Sequence, residues 1–133
     1  MAEKDLSKLI ENMEPTLNSG SYIFSSVTKL ELANLPTHIL VMQFQESEGT
    51  TIITTSENAD LYHIPYELRM AWITLKIHSA LDAVGLTAAF SYALKSAGIS
   101  CNVVAGYYHD HLFVPLEDTE KAMAALNALS RNG

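Results

Sequence analysis

Between Trp72 and Arg131 the residue pattern changes period several times, and the order of those changes restricts the fold more than any other feature of the chain. Ile73, Leu75 and Ile77 alternate with Trp72, Thr74, Lys76 and His78, which predicts a half-buried strand over 72–79. Leu86, Phe90, Ala93, Leu94 and Ala97 then recur at helical spacing, predicting a helix over 84–97. Gly98 sits where a left-handed residue would end it. Residues 99–108 read as another strand, His109-Asp110 as a tight turn, and 111–115 as the return strand. Asp118 can cap a last helix with Ala122, Met123, Leu126 and Leu129 on its inner face and Arg131 near its end.

The order is β-α-β-β-α. A helix between two strands of one sheet implies a right-handed crossover, and the following pair is a hairpin. This is most of the split-βαβ plan, so the fold class is α+β, a ferredoxin-like sandwich. The first half is less regular. Leu6, Leu9, Ile10 and Met13 give residues 5–13 an amphipathic helix, with Asp5 as its cap and Pro15 as its stop. Asn18-Ser19-Gly20 is a turn, and 21–27 a strand. Residues 30–36 form a short connection, 38–45 and 50–55 are strands joined by the turn 46–49, and 56–60 have helix-start chemistry. This order matches the second half if its first helix is mostly lost. The division is then an N-terminal helix (1–16), a first, degenerate half (17–68) and a second half (69–133). Strands 22–27 and 72–79 should hold equivalent places, although any two α/β halves align this loosely.

Composition narrows the function. The chain has 133 residues, is 48% apolar and only 17% charged, and so is globular. A net charge of −7 with eight scattered Lys and Arg excludes a nucleic-acid backbone or an anionic membrane as partner. One cysteine, Cys101, leaves no intramolecular disulfide and reads as a buried, reduced thiol. The start Met1-Ala2-Glu3-Lys4-Asp5 lacks the order of a signal peptide, and no apolar run has the length of a membrane span. The expected location is cytoplasmic.

Asp82-Ala83-Val84-Gly85-Leu86 resembles the Asp-x-Pro-Gly-Leu-like turn after the first strand of ACT domains, with Val84 where that family has proline. Ala97-Gly98-Ile99-Ser100-Cys101-Asn102-Val103 is similar to the family's entry into its second strand. Gly-Leu-Thr-Ala from Gly85, Cys-Asn-Val-Val-Ala-Gly-Tyr-Tyr from Cys101 and His-Asp-His-Leu-Phe-Val-Pro from His109 are similar to small free-standing bacterial ACT-like proteins of unassigned function. The resemblance implies a regulatory module that binds an amino acid or related metabolite, commonly where two modules meet. Its alternative is a ligand-free module for dimerisation or for docking on an enzyme.

The candidate ligand residues are Asp82, Val84, Gly85, Leu86 and Asn102. Backbone N–H groups at a helix start can receive a carboxylate, Asp82 can accept from an ammonium, and Asn102 can donate and accept. Two structural readings stand beside this one. Asp82, with Ser79, can simply cap the helix, and Gly85 can serve tight packing. His109 and His111 could ligate a metal with His78, but their place at a hairpin favours a structural turn. His78, Ser79 and Asp82 do not make a hydrolytic set, because His78 and Ser79 face opposite ways on one strand. Tyr107 and Tyr108 likewise face opposite sides, one towards core and one towards an interface. No catalytic residue, metal or cofactor is expected, and covering of strand edges predicts a homo-oligomer.

Overall fold

A computed structural model describes residues 3–132. The chain forms two compact units, residues 20–70 and residues 3–19 with 71–132, and the division falls between Met70 and Ala71.

In the unit of residues 20–70, β2 (Tyr22–Val27) is followed by α2 (Lys29–Ala33), β3 (Met42–Gln45), β4 (Thr50–Thr55) and α3 (Ser56–Leu61). The strand order is β3-β4-β2, antiparallel throughout, with Tyr22 opposite Thr55 and Met42 opposite Ile53. Ile23, Val27, Ile52, Ala59 and Ile64 make its core. The stretch expected to be a short connection contains α2. Thr28 starts it with a capping box: its side chain accepts from Glu31 N–H at 3.1 Å, and the Glu31 carboxylate accepts from Thr28 N–H at 2.8 Å. The helix has no fully buried residue and packs only Leu32 against the core, so it shows no apolar stripe in sequence. The strand expected from residue 38 begins only at Met42, because Thr37–Ile39 form a 3₁₀ turn whose Ile39 carbonyl accepts from the buried Thr54 hydroxyl.

In the other unit, α1 (Leu6–Glu11) and β1 (Pro15–Leu17) join β5 (Met70–Leu75), α4 (Leu86–Ser96), β6 (Asn102–Ala105), β7 (Asp110–Pro115) and α5 (Thr119–Asn132). The order is β1-β5-β7-β6, and β1 runs antiparallel to β5 with Pro15 opposite Leu75. The β-α-β-β-α pattern therefore receives a fourth strand from the N-terminal segment. The helix α1, which Asp5 caps by accepting from Lys8 N–H at 3.2 Å, buries Leu9 and Ile10 in the same core as Ile73, Leu75, Phe90, Leu94, Leu112 and Leu126. In both units the third strand lies between the first and the second (β4 between β2 and β3, β7 between β5 and β6), so the repeat read in the sequence is present in the topology.

Two strands are shorter than their alternation predicts. Strand β5 ends at Leu75, after which Lys76 N–H turns to Met13 O at 3.0 Å. Strand β6 ends at Ala105, and the turn is Gly106–His109, closed by Gly106 N–H to His109 O at 2.9 Å, while Asp110 already belongs to β7. Tyr107 and Tyr108 thus sit at the tip of a turn and not on two faces of a strand, and both are exposed. No helix among the described residues is long and apolar enough to cross a membrane.

Candidate ligand site

The segment between β5 and α4 ends in the left-handed residue Gly85 (φ +99°), which stands as the N-cap of α4 and offers no side chain to cap it. The first intrahelical bond runs from Ala89 N–H to Gly85 O at 2.9 Å, so the N–H groups of the preceding helical turn point out of the helix end. A Cβ at Gly85 would lie 3.0 Å from Leu6 Cδ2, which gives the packing reading of this glycine direct support. Leu86 is buried beneath the turn, whereas Leu81 and Val84 are strongly exposed.

Asp82 does not cap the helix, and neither does Ser79. The Asp82 carboxylate pairs with Lys4 Nζ at 3.0 Å, and that hydrogen bond and charge hold its pKa below the ordinary value. The pair is largely exposed, so it adds little stability. Backbone bonds fix the same segment: Glu3 N–H donates to His78 O and Ala80 N–H donates to Glu3 O, each at 3.0 Å. Residues 3 and 4 had no motif to mark them; their role depends on the fold bringing the two segments together. Asn102 opens β6, and its side-chain amide reaches Phe113 O at 3.5 Å. The structure thus joins Asp82, Val84, Gly85 and Leu86 in one turn and places Asn102 on the next strand, beyond α4.

The histidines are arranged differently from a ligand set. Nδ1 of His111 accepts from the Trp72 indole N–H at 3.0 Å and lies 3.1 Å from the Thr74 hydroxyl, which itself accepts from Asn18 at 2.9 Å. Burial, then the neighbouring His109, hold the His111 pKa below 6.5. The His109 ring is 6.4 Å from it and nearly perpendicular. His78 instead meets Tyr108 and Tyr107, with ring centroids 5.3 and 6.3 Å away. Among the described residues no three His, Cys, Asp or Glu are grouped to hold a metal ion. Cys101 is half-buried against the core, and burial pushes its thiol up to about 11.

Two models of the ACT domain match the chain, over residues 1–71 and 67–128. A Vibrio cholerae protein of unknown function, titled a possible transport protein, is 39% identical over 96% of this chain and 97% of its own, with a TM-score of 0.82. An Agrobacterium tumefaciens protein is 18% identical over 87% of each chain, with a TM-score of 0.70. The regulatory subunit of aspartate kinase from Thermus thermophilus is 13% identical over 86% of this chain and 95% of its own, with a TM-score of 0.65. The last two likenesses concern the fold alone. Among curated proteins none matches. The matched models, the repeated strand order and the ferredoxin-like plan agree that this chain belongs to the ACT domain family, as two consecutive domains of that regulatory, ligand-binding type.

Proposed function

We propose that the chain is a regulatory module, not an enzyme, that binds a free amino acid or a related metabolite in the cytoplasm, and that the turn 82–86 together with Asn102 contacts it. The observation that carries this reading is the uncapped start of α4 beside the exposed Asp82–Lys4 pair. Backbone N–H groups and Lys4 suit a carboxylate, and Asp82 suits an ammonium. Asp82→Ala and Asn102→Ala should weaken the thermal stabilisation given by whichever of the twenty standard amino acids stabilises the wild type, while the variants stay folded. Variants that respond like the wild type would remove this site.

One observation favours a second reading, a module for self-association or docking. Strands β3 and β6 end their respective orders and expose Phe44 and Val103. Unpaired edges with apolar side chains invite a further strand. Sedimentation at tens of micromolar (an order of magnitude suited to a modest interface) should show a homo-oligomer under this reading, and a monomer would remove it.

A further inference from the structure

We infer a second ligand site in the unit of residues 3–19 and 71–132: a cleft of about 590 Å³ at the C-terminal ends of α1 and β5, built to hold a small zwitterion by both of its charges. The inference rests on the reading that this chain binds amino-acid-like ligands, and the cleft is separate from the turn before α4, none of whose residues 82–86 lines it.

The cleft is lined by residues from several parts of the unit. Glu11 and Glu14 bring two carboxylates, Lys76 an ammonium, and Asn12 and Asn127 two amides. Ile77 supplies an apolar surface and His78 a ring. Opposite charges on one small concave surface match a ligand that carries an ammonium and a carboxylate a few bonds apart. The backbone beneath them is pinned: Lys76 N–H bonds Met13 O at 3.0 Å, and the Ser130 hydroxyl bonds Glu11 O at 3.0 Å, tying α5 to the end of α1. His78 is braced from outside the cleft by Tyr107 and Tyr108. Glu14 adds a separate observation. It holds a left-handed backbone (φ +46°) in the link between α1 and β1, where its carbonyl lies 3.4 Å from Lys76 N–H and so fixes the rim of the cleft. Glycine there would relieve the strain and lose the carboxylate.

The test is amide-resolved NMR of the whole chain titrated with each of the twenty standard amino acids, and with the N-acetylated form of any that binds. The site predicts shifts at Asn12, Lys76, Ile77 and Asn127. It predicts a loss of affinity of about tenfold or more in Glu14→Gln and in Lys76→Met, as expected for removing one charged partner. The N-acetylated ligand should bind weakly. Shifts confined to residues 82–86 and 102 would overturn the cleft and leave the amino-acid reading standing. Equal binding of the N-acetylated form would overturn zwitterion recognition. Silence towards all twenty amino acids would overturn the cleft and the reading beneath it together.

Discussion

The indole N–H of Trp72 donates to Nδ1 of His111 at 3.0 Å. An indole nitrogen can only donate, so Nδ1 must be bare, and a neutral His111 carries its proton on Nε2. Protonating Nδ1 would set two donors against each other. Burial first, then His109 and Lys76, hold the pKa of His111 below 6.5, with Asp110 opposing them.

The consequence for stability has a definite sign. The unfolded chain takes up this proton near 6.5, and the folded chain takes it up only at lower pH. Stability is therefore complete above pH 6.5 and falls as the pH drops below it, until folded His111 itself protonates. Urea midpoints measured from pH 8 to 5 should fall in the wild type and fall less in His111→Asn, whose carbonyl can still accept from Trp72. Asp110, raised by burial with His111 opposing, contributes with the opposite sign from about its ordinary 3.8 upward, and removing His111 strengthens that opposite slope in the variant. Trp72→Phe at pH 8 should cost about 1 kcal/mol, the net worth of one hydrogen bond. Equal pH slopes in wild type and His111→Asn would refute the assignment.

Two glycines frame α4 and differ in one respect. Gly98 (φ +75°) has open space where a Cβ would go, while at Gly85 (φ +99°) that Cβ would press on Leu6 at 3.0 Å. Gly98→Ala should cost about 1–2 kcal/mol, the strain of a left-handed alanine. Gly85→Ala should cost more than Gly98→Ala, because Leu6 must also move. Denaturant unfolding of the two variants decides this, and equal losses would show that the Leu6 contact is without effect.

Leu9 is fully buried and Leu6 is 38% exposed, three residues apart on α1. Leu9→Ala should therefore cost about 2–5 kcal/mol, as for other core leucines. Leu6→Ala should cost under about 1 kcal/mol, as for a surface position. If both losses were small, α1 would not be part of this core.

Cys101 should react slowly. Its thiol lies at about 11 against an ordinary 9.0, so at pH 8 the folded protein holds about one hundredth of the thiolate of the unfolded chain. Labelling by a thiol reagent, with and without urea, measures the ratio directly, and similar rates in the two states would contradict the burial.

The sequence displayed what its periodicity could encode. Ile73 and Leu75, and the helical run Leu86, Phe90 and Leu94, face the core as their spacing predicts. Helix α2 was hidden because it is five residues long and sets only Leu32, partly buried, against the core, so its Thr28–Glu31 cap is its one local signal. Strand β1 was hidden because three residues, the first a proline, are too few to show a period, and its pairing with β5 depends on residues some 60 positions away. At the candidate site, Gly85 and its helix start were legible. The Lys4 partner of Asp82 was not, since an ion pair across 78 positions leaves no local signal.

The central claim is that this chain binds a small amino-acid-like ligand, and thermal unfolding of the wild type against the twenty standard amino acids tests it most directly. A ligand present at 100 times its Kd and bound only by the native state adds about 2.7 kcal/mol. That predicts a rise in Tm of roughly 5–20 °C for at least one amino acid. A Tm unmoved by all twenty at millimolar concentration (the order of the weakest useful affinity) would contradict the claim.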